Sequence, residues 1–307
     1  MNKSLIKAIE FSILTALLMT YTECSQKGKK DYDMGMAMSS LKDYEQAIAS
    51  FDKAIEANPG YVMAYYNRAL AKEGLRNYKG AIGDFEKAIK MKPRFTDAIY
   101  GKGLAMEILE DYKGAIAEYD KVVKLDPGFS YINYNRGRAK IYLSDYNGAM
   151  DDLSKAIDLG PDIMGAFIEQ AYYFRGIAKL NLQDYKGAIA DLTRYMAYDH
   201  RDAKAYYNRG MALYSTRDFN KAIEDFNGSI ELNRGEADVL KGGLTMMDKK
   251  EIESAVNELD LIYAKAYYYR GLSKIESGQK ESGCEDLKKA AGLGSAEARE
   301  AMSVHCK

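Results

Sequence analysis

The sequence predicts an all-α solenoid, a row of helix pairs stacked side by side, and three observations predict it. The first is a period: Pro59, Pro93, Pro127 and Pro161, the only prolines, each stand 34 residues after the last. Alanine keeps that step of 34 at Ala47, Ala81, Ala115 and Ala149, then after one step of 39 resumes it at Ala188 and Ala222. The second is an Asp or Asn followed at once by a ring, at Asp43-Tyr44, Asn77-Tyr78, Asp111-Tyr112, Asp145-Tyr146, Asp184-Tyr185 and Asp218-Phe219. The third is that no strand-like alternation competes with this pattern. A fixed period of this length means supersecondary units that bury their apolar faces only against each other.

The N-terminus stands outside the repeats. Lys3 and Lys7 precede an apolar run from Phe11 to Tyr21, and Cys24 follows. Such a run is too short to span a bilayer and suits a secretory signal. Bacterial lipoprotein signals have a similar layout, with the cysteine becoming the lipidated first residue. Glu23 and Glu10 depart from it. Three readings stay open: lipidation at Cys24, simple export, and an uncleaved anchor or misassigned start. Residues 1–23 are read as the signal and 24–30 as a polar tether.

Slots within each unit follow the chain's own period, with the prolines in slot 32 and the alanines in slot 20. Repeats then cover residues 28–61, 62–95, 96–129, 130–163, 169–202 and 203–236, with Met164 to Ile168 as an insertion. In each, small and apolar residues at helical spacing form a first helix. The Asp or Asn at slot 16 starts a second, its side chain accepting a bond from an orphan backbone N–H. Proline at slot 32 ends the pair. Residues 237–263 fall seven short of a unit. Gly242, Gly243, Met246 and Met247 suit a short first helix, and Asp248 with Glu251 a capping box. They read as a degraded repeat, the alternative being a local break in the array. A last repeat covers 264–294, closing the array at 31–294, and residues 295–307 form a helix that covers its end.

The segment Ala64 to Pro93, with Tyr-Tyr-Asn-Arg-Ala followed by Gly-Ala-Ile, Lys-Ala-Ile and Pro93, resembles the tetratricopeptide repeat. The resemblance covers nearly all of residues 28–294. It implies a right-handed superhelix of about seven helix-turn-helix repeats, plus the degraded one and the capping helix, whose first helices line a concave surface. The tryptophan usual at slot 4 is replaced by Tyr65, Tyr172, Tyr206 and Tyr267.

On that surface slot 5 is tyrosine in all seven units: Tyr32, Tyr66, Tyr100, Tyr134, Tyr173, Tyr207 and Tyr268. These rings read either as a peptide-binding ladder, each offering rigid area and a hydroxyl, or as packing between neighbouring first helices. Slot 6 holds Asn67, Asn135 and Asn208, which in related repeats can bond an extended peptide backbone. Asp33, Gly101, Phe174 and Tyr269 interrupt the series. The lysine clamp by which some relatives hold chaperone C-termini is missing, because tyrosine fills its slot.

Slot 7 carries Arg68, Lys102, Arg136, Arg175, Arg209 and Arg270, and slot 23 carries Asp84, Glu118, Asp152, Asp191, Asp225 and Asp286. The first unit has Met34 and Ser50 instead. Charges present together or not at all predict contact. Cys284 and Cys306 lie at similar distances from the Gly294 turn, so antiparallel helices would bring them level, and a disulfide is expected.

The balance of 44 basic and 45 acidic residues argues against nucleic-acid binding. Two histidines, His200 and His305, and three cysteines leave little for a metal or a histidine-based catalytic centre. No phosphate loop, catalytic triad or Cys-x-x-Cys appears. The expectation is a non-enzymatic scaffold without cofactor, binding a protein or peptide partner in its groove. It would be periplasmic, or held to the outer membrane of a Gram-negative bacterium through the lipid on Cys24. The alternatives are an accessory subunit of an envelope assembly or transport complex, and a carbohydrate or cell-wall binder.

Overall fold

A computed structural model describes residues 28–129, 131–160, 165, 167–241 and 249–307. The signal segment, Cys24, Pro161, Asp248 and the first-helix residues expected at 242–247 lie outside them. The described residues form fifteen helices and no strand. They fall into two compact units, divided after Ile132.

The first unit holds three helix pairs: α1 (Lys29–Ser40) with α2 (Tyr44–Ala57), α3 (Val62–Gly74) with α4 (Tyr78–Met91), and α5 (Thr96–Ile108) with α6 (Tyr112–Leu125). The second begins with α7 (Ile132–Tyr142) and α8 (Tyr146–Asp158). α9 (Phe167–Asn181), α10 (Tyr185–Tyr198), α11 (Ala203–Ser215) and α12 (Phe219–Lys241) follow. α13 (Lys249–Glu276), α14 (Lys280–Gly292) and α15 (Ala296–His305) complete it. Helix α1 takes in Lys29 and Lys30, so the tether is shorter than expected.

One residue both ends the first helix of a pair and starts the second. At the first turn Lys42 adopts φ 61°, and the Asp43 N–H donates to the Met38 carbonyl at 3.0 Å. This is a Schellman closure. The Asp43 carboxylate then accepts from the Gln46 N–H at 3.1 Å, capping α2. Asn77, Asp111, Asp145 and Asp184 do the same, closing on Lys72, Met106, Lys140 and Lys179. The left-handed position is filled by Arg76, Glu110, Ser144, Gln183 and Arg217, and by glycine only at Gly278. At the other end, α2, α4 and α6 stop at Ala57, Met91 and Leu125, two residues short of their prolines.

Each pair closes through a small residue at slot 8 lying on a large one at slot 24. A Cβ on Gly103 would stand 2.6 Å from the Tyr119 ring, and one on Gly210 would stand 2.8 Å from Phe226. Tyr119, Phe51, Phe85 and Phe226 are fully buried there, with the slot-20 alanines beside them. In the last pair, slots 8 and 20 are both glycine. A Cβ on Gly283 would meet the Gly271 carbonyl oxygen at 2.6 Å and the Ile275 side chain at 2.7 Å. We expect Gly283→Ala to lower stability by about 1–3 kcal/mol through overpacking, although a helix ordinarily gains about 1 kcal/mol from that change. Gly83→Ala, where the added Cβ meets nothing within 4 Å, should gain. Thermal melts compare the two, and a Gly283→Ala protein that melts above its parent refutes the close approach.

Residues 237–263 differ from expectation. They do not form a worn repeat with its own turn before residue 264. Instead α12 continues to Lys241, and α13 runs unbroken from Lys249 to Glu276 across that boundary. The last pair therefore stacks on α11 and α12, and the extra residues lengthen two helices into a hairpin. The final helix α15 is as expected, with Ser295 Oγ accepting from the Ala298 N–H at 3.1 Å.

Candidate binding face and the charges behind it

All six expected charge pairs are in contact. Arg136 donates through Nε and NH2 to the two oxygens of Asp152, at 2.8 and 2.6 Å. Arg68–Asp84, Arg175–Asp191, Arg209–Asp225 and Arg270–Asp286 repeat this two-point geometry, and Lys102 meets Glu118 at 3.0 Å. A second cation, four residues on, shares the carboxylate in four repeats: Lys72, Lys140, Lys179 and Lys274 at 2.7–2.8 Å. The carboxylates are almost fully buried. Hydrogen bonds to Asp191 and Asp225 push the Arg175 and Arg209 guanidinium pKa up and outweigh the lowering by burial.

The sequence reading missed the cation's further partner, at slot 25 of the repeat before. Arg68 reaches Asp52 at 2.5 Å and Lys102 reaches Glu86 at 3.0 Å. Arg175 reaches Ser154, and Arg209 reaches Thr193, at 3.2 and 3.1 Å. Arg270 reaches Asn227 at 2.6 Å, across 43 residues of sequence that include the hairpin. Each such cation joins two repeats. The sequence carries a signal for this, since in every repeat that another follows slot 25 is a hydrogen-bond acceptor, Asp52, Glu86, Asp120, Ser154, Thr193 or Asn227, and it is Lys288 only in the last.

The slot-5 tyrosines lie in front of this frame, each held by other rings. In the first unit Tyr32 contacts Phe51 and Tyr61, Tyr66 contacts Phe85 and Phe95, and Tyr100 contacts Tyr119 and Phe129. One neighbour comes from the pair's second helix and one from slot 34. In the second unit the insertion replaces the slot-34 ring, and Tyr134 contacts Phe167 at 5.4 Å. Tyr134 is only 3% exposed, whereas the other six are half-buried. Tyr173 contacts Phe174 and Tyr195, and Tyr207 contacts Phe226 and Tyr269. Tyr268 lies against Tyr269 at 4.9 Å.

The slot-6 asparagines diverge. Asn67 donates to the Tyr32 hydroxyl at 3.0 Å and to the Met63 carbonyl, joining the first two repeats. Asn135 is buried, and Asn208 is half-buried. On the same helix face of the first unit, Met36, Met63 and Leu70 are each 39% exposed. The Glu73 carboxyl shares that face, and burial pushes it up to about 7. Burial, then the charges of Asp97 and Glu73, push the Tyr66 phenol up.

Cys284 and Cys306 are joined by a disulfide with Cα atoms 5.7 Å apart, tying α15 to α14. Beneath α15 lie Leu287 and Ala290, fully buried, with Tyr268 and Ile275 packed against them. Among the described residues no helix is long and apolar enough to cross a membrane.

Tetratricopeptide-repeat family models match residues 32–61, 66–128 and 203–235. A comparison with curated proteins found no match. Solved structures share the fold. A tetratricopeptide repeat protein from Parabacteroides merdae is 16% identical, over 92% of this chain and all of that one, with a TM-score of 0.55. The C-terminal part of a repeat protein from Cytophaga hutchinsonii is 16% identical, over 88% and 98% of the two chains, at 0.60. YrrB, described as a TPR protein with an unusual peptide-binding site, is 22% identical over 64% and 98%, at 0.53.

Proposed function

The chain belongs to the tetratricopeptide-repeat proteins, and from that premise we propose that it is an exported, non-enzymatic scaffold binding a protein or peptide partner on its first-helix faces. The observation that carries this is the half-buried tyrosine at slot 5. Ring neighbours hold each of these six tyrosines while part of each stays accessible, so little side-chain entropy is lost on binding. Met36, Met63 and Leu70 add exposed apolar area to that face in the first unit.

A photocrosslinker at Leu70 or Met211 should capture one partner from envelope extracts. The same probe at Lys53 or Lys87, exposed on second helices, should not. Capture only from the second-helix positions would overturn the groove reading and favour the accessory-subunit one.

Export rests on Lys3, Lys7 and the apolar run to Tyr21, and on the disulfide, a bond that persists in oxidising compartments. The mature chain would begin at or near Cys24 and carry a lipid there. Mass spectrometry finding the N-terminus intact on cytosolic protein would refute this.

A further inference from the structure

One place on the first-helix faces differs from the rest. Tyr269 takes the slot-6 position that asparagine holds at Asn67, Asn135 and Asn208, and gathers a nest of rings. Its ring lies 6.4 Å from Tyr207, 5.6 Å from Tyr214, 4.9 Å from Tyr268 and 6.2 Å from Phe226. This cluster forms because α13 stacks directly on α11 and α12. Tyr207, Tyr214, Tyr268 and Tyr269 are half-buried, and among the described residues none of their hydroxyls has a hydrogen-bonding partner. Other tyrosines do have one: Tyr119 donates to Glu107, and Tyr195 to Asp202. Carboxylates rim the nest, with Glu276 acting on Tyr214, and Glu297 and Glu300 on Tyr268. Lys265 and Arg299 are the cations near Glu297.

A surface of ring faces and unclaimed O–H donors suits a ligand that supplies carbonyl acceptors and apolar rings but needs few acceptors in return. A polyproline II strand has that chemistry. Its carbonyls are free, its prolines lack N–H groups, and its pyrrolidine rings lie well on aromatic faces. The acidic rim adds charge complementarity to Lys or Arg beside the prolines. We propose that the Tyr207–Tyr214–Tyr268–Tyr269 nest binds a proline-rich segment flanked by basic residues. This rests on the scaffold reading and names its partner class. A neutral oligosaccharide could also lie on the rings but would leave the rim unmatched.

The test is titration calorimetry on the full mature chain with three probes: a Lys-flanked nonaproline, a Lys-flanked Gly-Ser peptide of equal length, and chitohexaose. The nonaproline should bind, and the other two should bind at least about tenfold more weakly. Tyr214→Phe and Tyr268→Phe keep the rings and should each weaken the nonaproline about three- to tenfold, the size of one hydrogen bond. Tyr269→Asn restores the residue found in other repeats and should abolish it. Equal binding of the two peptides, preference for chitohexaose, or Tyr→Phe variants that bind like the parent would each overturn the proposal. If the crosslinker at Leu70 or Met211 still captured a partner, the scaffold reading would stand without it.

Discussion

Replacing Asp152 by Ala should be among the most damaging single changes in the chain, costing about 3–5 kcal/mol as the loss of one member of a buried ion pair does. The carboxylate is 1% exposed and takes three bonds, two from Arg136 and one from Lys140 at 2.7 Å. Its removal leaves two cations in a space with little water to receive them. Arg136→Ala should cost less, because Lys140 still neutralises the carboxylate. The double variant should lose less than the sum of the two, with a coupling of about 0.5–3 kcal/mol typical of residues in contact. Urea unfolding of the four proteins gives the cycle, and strict additivity would show that the pair contributes nothing as a pair.

Reducing the Cys284–Cys306 bond should remove about 3 kcal/mol from the C-terminal end, the chain-entropy value for a loop of this size. The bond spans 22 residues and holds α15 over Leu287 and Ala290. Only one side of α15 is otherwise supported, as for any end of a solenoid. Hydrogen exchange should therefore accelerate in α15 on reduction and remain unchanged in α1–α6. Thiol counting on denatured Cys24→Ala protein, purified from the envelope without reductant, should find no free thiol before reduction and two after. Two free thiols beforehand, or unchanged exchange in α15, would refute the clamp.

The helix pairs were legible because prolines, slot-16 caps and slot-20 alanines are local signals with a fixed step. The Arg–Asp pairs were legible because two slots changed together in the first repeat, where Met34 and Ser50 replace both charges. The slot-25 partners were harder to see. An acceptor that is Asp in one repeat and Ser, Thr or Asn in others keeps its chemistry while losing its identity. The continuous α13 was misread because a repeat was sought wherever the period lapsed. Between Lys249 and Arg270 there is no glycine or proline, and that lack of a breaker was the better guide. On the binding face, sequence placed the tyrosines but not the extent of their burial. Beside the inserted Phe167, Tyr134 has Phe174 of the next repeat at 6.2 Å and the Arg138 guanidinium 5.2 Å over its ring, and the step of 39 that marks the insertion does not say which ring it brings up.

The bond that Arg270 donates to Asn227 carries a consequence for how such chains change over time. Stacking is specified by matching side chains on facing surfaces, and contiguity along the chain is not required. Between two matched surfaces a guest segment can be spliced in as long as it leaves and returns as helix, which is how the α12–α13 hairpin sits here. The array is in this sense modular at its joints, and new appendages can arise at a joint while the stacking of the repeats on either side is kept.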